Sequence, residues 1–139
     1  MKFLLDTNVV SEMRKASLSR IDPNVASWAE RTHPTDLCLS VITTYELERG
    51  VLRLERRDRA QGLIYRRWLD LVLVAFDGRI FAIDQVIAMR AAQFDVPDPH
   101  PLEDGLIAAT ALVHGLTVVT RNVGDFGGTG VSVLNPWDD

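Results

Sequence analysis

The longest apolar pattern of the chain lies in residues 102–126. Residues 106–113 contain almost no polar side chain, which predicts a helix that is buried on most sides. Gly115 follows at the position where a glycine commonly ends a helix. The segment 117–120 is apolar and β-branched, which is typical of a central strand. This helix and strand therefore predict the centre of an α/β fold.

Shorter apolar segments along the rest of the chain predict further strands and helices. The predicted strands are residues 2–5, 37–41, 80–83, 117–120 and 131–134. The predicted helices begin at Val9, at Pro23 behind an Asp22 N-cap, and at Thr43. Another predicted helix has Asp84 as its N-cap and runs to about Phe94, and two more cover roughly residues 60–75 and 102–114. Polar residues 15–22 and proline-rich residues 96–101 predict loops. Because strands alternate with helices, we expect an α/β fold with a mostly parallel sheet covered on both faces.

Composition and charge narrow the class of protein. The chain has 139 residues, of which 47% are hydrophobic, and we expect a single globular domain over 1–139. Cys38 is the only cysteine, so no internal disulfide can form. No apolar run approaches the length of a membrane span. Asp6 interrupts the first apolar residues too early for a secretory signal. These features predict a cytoplasmic protein with no membrane contact. The net charge of −4 argues weakly against a general coat for nucleic acid.

Four acidic residues stand where predicted strands end or predicted helices begin: Asp6, Glu46, Asp104 and Asp125. If the strands are parallel, all four converge on the carboxyl edge of the sheet. At an effective dielectric constant of about 20, two carboxylates about 5 Å apart repel by roughly 3 kcal/mol, so such a cluster requires protons or a cation. All-oxygen ligands favour hard ions such as Mg²⁺ and Mn²⁺, and such a site can activate water against a phosphate ester.

Each of these acids also has a purely structural explanation. Asp6 can form a turn with the residues that follow it, and Glu46 lies three residues after Thr43, as in a capping box. Asp104 suits the N-terminus of a helix, and Asp125 suits an ordinary turn. Unrelated structural acids have no reason to gather at one edge of a sheet, so the joint pattern favours a common site.

Four segments of the chain carry a resemblance to a known family. They are LLDTNVVSE at 4–12, SVITTYELERG at 40–50, LEDGLIAATALVHGLTVVTRN at 102–122, and the GDF that follows. LLDTN alone is a weak signal, whereas DGLIAATA followed by TVVTRN and an acid–Phe pair is specific. In these segments the chain is similar to PIN-domain proteins and, more narrowly, to the VapC and FitB group of bacterial toxins.

The resemblance implies a PIN-like three-layer α/β/α sandwich with a parallel five-stranded sheet. It implies that the catalytic and metal-binding residues are Asp6, Glu46, Asp104 and Asp125. It implies that the supporting residues are Thr7, Thr120 and Asn122. Glu48 and Glu103 are near neighbours, but Glu46 and Asp104 fit the family spacing better.

The activity implied by the resemblance is cleavage of RNA that depends on Mg²⁺ or Mn²⁺. The resemblance also implies a cognate antitoxin that holds this activity in check. It further implies a homodimer, which can form part of a larger toxin–antitoxin complex.

An arginine-rich segment is the second candidate for a functional surface. Residues 49–67 contain seven arginines and two acidic residues, in a chain that is acidic overall. Helical spacing places Arg49, Arg53 and either Arg56 or Arg57 on one face. This face can be ordinary solvated surface, or it can contact RNA phosphates or an acidic segment of an antitoxin. We expect Tyr65 and Trp68 to pack in the core or an interface.

Together these features predict a metal-dependent endoribonuclease that acts as the toxin of a toxin–antitoxin system. One alternative is a binding module that contacts RNA and is regulated by an antitoxin but does not cleave. Clustered acids argue against it, since pure binding has no use for them. Another alternative is a metal-dependent DNA nuclease or a phosphatase that uses the same carboxylates. Phosphate contacts do not distinguish RNA from DNA, so the sequence leaves this alternative open.

Overall fold

The computed structural model describes residues 1–138, which form strands and helices in alternation. The strands are β1 (Phe3–Leu5), β2 (Leu37–Ser40), β3 (Ile80–Phe81), β4 (Thr117–Val119) and β5 (Val133–Leu134). The α-helices are α1 (Thr7–Met13), α2 (Pro23–Arg31), α3 (Val41–Arg57), α4 (Arg59–Ala75), α5 (Gln85–Ala92) and α6 (Leu102–His114). Short 3₁₀ segments cover Arg14–Leu18, Pro34–Asp36, Gln93–Asp95, Val123–Phe126 and Pro136–Asp138.

The five strands form one parallel sheet with β1 at its centre. Their order is β3-β2-β1-β4-β5, and every neighbouring pair is parallel. Leu4 of β1 pairs with Cys38 of β2 and with Val118 of β4. All carboxyl ends therefore lie at one edge of the sheet, as expected from the sequence. The α/β class with a five-stranded parallel sheet is confirmed.

Helices cover both faces of the sheet and bury a separate apolar cluster on each. Leu5 belongs to the cluster that includes Val9 of α1 and Leu69 of α4. Leu4 belongs to the opposite cluster, which includes Ile107 of α6. Successive side chains of a strand point to opposite faces, so these two leucines join β1 to both helical layers. The three-layer arrangement follows from this alternation.

The N-caps and the helix end predicted at Asp22, Asp84 and Gly115 are confirmed. Asp22 accepts hydrogen bonds from the N–H groups of the first turn of α2, and Asp84 accepts one in α5. Gly115 has φ = +68°, the left-handed conformation that glycine adopts without strain. Several boundaries differ: β3 and β5 are shorter than predicted, and the polar residues 15–22 include part of a 3₁₀ turn.

The prediction that α3 begins at Thr43 is wrong. The helix begins at Val41, and Ser40 is its N-cap, with its hydroxyl oxygen accepting the N–H of Ile42 at 3.0 Å. Thr43 is fully buried instead, and its hydroxyl donates to the carbonyl oxygen of Leu5 at 3.4 Å. Strand β2 therefore passes into α3 without an intervening loop.

Helices α3 and α4 form a hairpin that is held together by close packing and by ion pairs. Gly62 lies so near α3 that an added Cβ would be 2.5 Å from the Cα of Glu55. Arg66 of α4 donates two hydrogen bonds to Glu48, at 2.6 and 2.7 Å, and also pairs with Glu55. These bonds from Arg66 lower the pKa of both glutamates. Within residues 1–138, no helix is long and apolar enough to cross a membrane.

The end of α1 is held to the following chain by a buried carboxylate. Glu12 accepts the backbone N–H of Asp22 at 2.9 Å and pairs with Lys15 at 3.0 Å. Burial raises the pKa of Glu12, but these hydrogen bonds and the charge of Lys15 outweigh burial and hold the pKa below its usual value of 4.5. The ionised form of Glu12 therefore stabilises the fold.

Candidate metal centre at the carboxyl edge of the sheet

Asp6 occupies the end of the central strand and is the most enclosed of the four predicted acids. It is the N-cap of α1, and its side chain is 8% exposed. Its carboxylate accepts the backbone N–H of Thr7 at 2.8 Å and the hydroxyl of Thr120 at 2.8 Å. Burial raises the pKa of Asp6, as does repulsion from Asp125, although the hydrogen bonds oppose the shift. The site therefore contains a carboxylate that is fixed in orientation but costly to ionise.

The hydroxyl of Thr120 is the centre of a polar network around Asp6. It is fully buried just beyond the end of β4. While donating to Asp6, its oxygen accepts the side-chain N–H of Asn8 at 3.2 Å and the backbone N–H of Asn122 at 3.0 Å. Asn8 also donates to Asp6 and accepts the N–H of Arg121. This network joins the ends of β1 and β4.

Asn8 is a member of this network that sequence reasoning did not select. The feature of the sequence that could have indicated Asn8 as a site residue is its position two residues after Asp6. Asn122, which was selected, contributes its backbone N–H to the network, and its side chain is exposed.

Glu46 reaches the same edge from α3. The hydroxyl of Thr7 donates to its Oε1 at 2.8 Å, so Thr7 connects it to the helix that Asp6 caps. Burial raises the pKa of Glu46, and repulsion from Asp6 and Glu103 adds to the shift. Its position six residues after the Ser40 N-cap excludes the capping-box explanation.

Asp104 lies in the first turn of α6, and the charges of the other three acids act on its carboxyl group. Its pKa is raised to about 6, first by burial and then by repulsion from Asp125, Asp6 and Glu46, while His100 opposes the shift. Asp125, Asp6 and Glu46 therefore lie close enough to Asp104 for their charges to raise its pKa. Most of the buried residues of helix α6 are small, and they follow Asp104 directly along the helix.

Asp125 lies in the 3₁₀ turn after β4, and its side chain is exposed. A contact that sequence reasoning missed holds this turn. The ring of His100 lies 3.1 Å from the carbonyl oxygen of Asp125 through its Nε2. A carbonyl oxygen can only accept, so Nε2 carries the proton and donates. His100 therefore joins the loop before α6, which carries Asp104, to the turn that carries Asp125.

The donor set of the four acids fits a hard divalent cation that retains water. None of the four forms an ion pair with a lysine or arginine of residues 1–138. Within those residues, no three His, Cys, Asp or Glu side chains come together closely enough to hold an ion by themselves. Mg²⁺ commonly binds through one or two carboxylates and keeps several waters. An open group of mutually repelling carboxylates agrees with that type of binding and not with a closed protein cage.

The sequence model of the family described as PIN domain matches residues 3–126. The chain belongs to the PIN domain family. This PIN domain is 39% identical to "Toxin FitB" of Neisseria gonorrhoeae over 98% of its length and 99% of the relative. It is 33% identical to "VapC ribonuclease Y4jK" of Sinorhizobium fredii, with 97% of each chain covered.

Solved structures of similar proteins show the same fold. The crystal structure of FitAcB from Neisseria gonorrhoeae matches with a TM-score of 0.84 and 36% identity, covering 97% of this PIN domain and 98% of that chain. Other structures that share the fold include toxin–antitoxin and VapBC complexes. The resemblance to the VapC and FitB group is thereby confirmed.

The arginines of this PIN domain do not form one uniform stripe. Arg49 lies over the ring of Tyr45, with 5.2 Å between its Cζ and the ring centroid. Arg53 and Arg56 are exposed, whereas Arg57 lines a cavity that also contains Glu46. Arg66 forms the ion pairs between α3 and α4, with Glu48 and Glu55. Of the four arginines selected from the sequence, Arg57 is the one that lines a cavity shared with a predicted acid.

Proposed function

We propose that this PIN domain, over 1–139, is an endoribonuclease that depends on Mg²⁺ or Mn²⁺ and acts in the cytoplasm as the toxin of a toxin–antitoxin system. The observation that carries the proposal is the group of four acids at the carboxyl edge of the sheet. Three of them, Asp6, Glu46 and Asp104, have raised pKa values. The names of the relatives, "Toxin FitB" and "VapC ribonuclease Y4jK", support the same activity.

The residues proposed to hold the ion are Asp6, Glu46, Asp104 and Asp125. When bound, a divalent cation supplies activation of water and neutralisation of phosphate charge. Thr120 and Thr7 fix the orientation of Asp6 and Glu46 through their hydroxyls, so these carboxylates do not reorganise during the reaction. Hydrolysis by in-line attack of water leaves a 5′-phosphate and a 3′-hydroxyl.

The exposed position of Asp125 gives a long polymer access to the site. Asp6, by contrast, is only 8% exposed. A phosphodiester of single-stranded RNA can therefore approach from the side of Asp125 and Asp104. Arg49, Arg53, Arg56 and Arg57 are proposed contacts for RNA or for an acidic antitoxin segment.

We propose a cognate antitoxin as the protein partner and a homodimer as the assembled form. The similarity to structures of toxin–antitoxin and VapBC complexes supports the antitoxin. In this proposal the antitoxin covers the acidic site, and a larger complex contains both proteins.

The proposal is tested by incubating the purified protein with a mixed RNA pool in Mg²⁺, in Mn²⁺ and in EDTA. Asp104→Asn removes one charge from the acid group, and Asp70→Asn, at an exposed position of α4, is the matched control. We expect cleavage that requires metal and is lost in Asp104→Asn but kept in Asp70→Asn. Full cleavage by a folded Asp104→Asn protein contradicts the assignment. Preference for DNA of equal sequence, or metal-independent RNA binding without cleavage, favours one of the alternative functions.

A further inference from the structure

A cavity of about 380 Å³ begins beside the acid group and extends between α1 and the α3–α4 hairpin. Thr7 and Glu46 are among its lining residues, so it shares one of the four acids and the hydroxyl that supports that acid with the candidate metal centre. Arg14, Arg57 and Tyr65 also line it. Its volume lies within the range of cavities that hold small ligands. A ligand in this cavity would touch the residue that supports Glu46.

The two arginines of the cavity have no acidic partner. Arg14 is half-buried and Arg57 is exposed, and within residues 1–138 neither forms an ion pair. Lys15 also lines the cavity, but Glu12 neutralises it at 3.0 Å. A guanidinium offers five N–H donors and binds phosphate in a bidentate manner. Because the chain as a whole carries a net charge of −4, two unpaired arginines beside an acidic site indicate an anionic ligand.

One wall of the cavity is flat and aromatic. The guanidinium of Arg14 lies over the ring of Tyr65, 4.2 Å from the centroid, and Trp68 contacts Tyr65 edge to face. Tyr65 and Trp68 also pack against the apolar cluster around Leu69, as the sequence predicted, but they line the cavity as well. Unstacked RNA bases bind on aromatic rings and on arginine planes. The guanidinium plane of Arg14, backed by the Tyr65 ring, therefore offers a surface on which a nucleobase can stack.

We propose that this cavity binds one nucleotide of the RNA, adjacent to the phosphodiester that the acid group cleaves. Arg14 and Arg57 bind the phosphate of that nucleotide, and the Arg14–Tyr65 pair stacks against its base. The inference rests on the proposed function, because it names the part of the RNA that lies beside the cleaved bond. An acidic peptide could also use the two arginines, and the RNA-binding measurements below distinguish it from a nucleotide.

The test measures binding of a fluorescein-labelled single-stranded RNA of about ten nucleotides, by fluorescence anisotropy in EDTA at several salt concentrations. Arg14→Ala and Arg57→Ala are each expected to weaken binding about tenfold, the loss of one charge-assisted contact. Each is also expected to reduce the slope of log K against log[salt] by about 0.7, the value for one phosphate contact on a single strand. Arg14→Lys keeps the charge and should keep the slope, while losing the affinity that comes from stacking. Arg90→Ala, at an exposed position of α5 outside the cavity, is the control and should bind like the wild type.

The outcomes separate this inference from the proposed function. Unchanged affinity and salt slope in Arg14→Ala and Arg57→Ala, with RNA cleavage by the wild type intact, overturn the nucleotide subsite and favour an acidic segment of a protein partner as its ligand. Arginine-dependent RNA binding without any cleavage by the wild type supports the subsite and contradicts the nuclease function. If Arg14→Ala does not fold, as judged by circular dichroism, Arg14→Lys and Tyr65→Leu provide the same comparison. Equal affinity for RNA in both of these variants and in the wild type also overturns the proposal.

Discussion

Replacing Thr120 with valine removes the hydroxyl that organises the acid group and keeps the shape of the side chain. In the wild type this hydroxyl donates to Asp6 at 2.8 Å and accepts from Asn8 and Asn122 at 3.2 and 3.0 Å. A hydrogen bond to a charged group contributes roughly 1.5–3 kcal/mol, and a neutral one contributes about 1 kcal/mol. Water can replace the neutral bonds in part, because Asn8 and Asn122 are not fully buried. Asp6, which is buried, has no such replacement.

We therefore expect Thr120→Val to lower the free energy of unfolding by about 2–3 kcal/mol in EDTA. For a chain of this length that corresponds to a fall in Tm of roughly 6–10 °C. Urea unfolding followed by circular dichroism measures the free energy directly, and an unchanged m-value shows that the folded state keeps its compactness. Thr120→Ser retains the oxygen and should recover most of the loss.

Thr110→Val is the matched control for this experiment. Thr110 is also fully buried, but its hydroxyl donates to the carbonyl oxygen of Leu106 within the same helix, at 2.7 Å. That carbonyl keeps its helical hydrogen bond after the substitution, so we expect a loss of less than about 1 kcal/mol. If Thr120→Val costs no more than Thr110→Val, the hydroxyl does not organise the acids and the reasoning is refuted.

Three further predictions concern other contacts of the structure. His100→Leu should weaken Mn²⁺ binding about tenfold in isothermal titration calorimetry, because the turn behind the acids loses its anchor, and an unchanged affinity contradicts this role. Ionised Glu12 stabilises the fold above pH 4.5, and this contribution is lost as the pH falls through its lowered pKa. In Glu12→Gln the free energy of unfolding, measured by circular dichroism, should therefore depend less on pH below 4.5 than in the wild type. Gly62→Ala should destabilise the protein by at least about 2 kcal/mol in urea unfolding, because its Cβ would lie 2.5 Å from Glu55. Gly50→Ala, with open space around it, should be stabilising by about 0.5 kcal/mol, and equal effects of the two glycine substitutions would refute the close approach.

The elements of the fold were predictable where the signal was local. The apolar residues of α6 and β4, the glycine at their junction and the caps at Asp22 and Asp84 each determine a boundary through their own chemistry. The start of α3 was predicted wrongly because Ser40 and Thr43 are both capable N-caps. Only the direct passage of β2 into the helix decides between them, and that depends on the register of Ser40 with Phe81 in β3. A cap pattern alone carries no information about that pairing.

The acid group was predictable as a pattern, but its supporting contacts were not. Parallel strands bring the residues after their carboxyl ends to one edge, which is a topological consequence that sequence spacing can indicate. The contact from His100 to the carbonyl oxygen of Asp125 spans 25 residues and depends on how two loops meet. The stacking of Arg14 on Tyr65 depends on how α1 meets α4. Such contacts have no periodic signal, because neither partner fixes the position of the other along the chain.

Four carboxylates near the α3–α4 hairpin and the sheet edge differ in whether an arginine forms an ion pair with them. Glu48 and Glu55 hydrogen bond with Arg66, and this lowers their pKa values. Asp6 and Glu46 form no ion pair within residues 1–138, and burial together with carboxylate repulsion raises their pKa values, although their hydrogen bonds and, for Glu46, the charge of Arg49 oppose the shift.

A shortage of basic residues does not explain this difference. Arg14 and Arg57 line the cavity that Glu46 also lines, yet neither forms an ion pair within residues 1–138. A fold that keeps unpaired acids and unpaired arginines side by side leaves each available for a ligand of opposite charge. A phosphodiester with a divalent cation would supply both charges at once: in the proposed function the cation would bind to the acids, and the neighbouring phosphate would bind to the arginines. Calorimetric titration of Mn²⁺ therefore offers a direct check, because a saturating nuclease-resistant phosphorothioate RNA should tighten Mn²⁺ binding in the wild type and should do so less in Arg14→Ala.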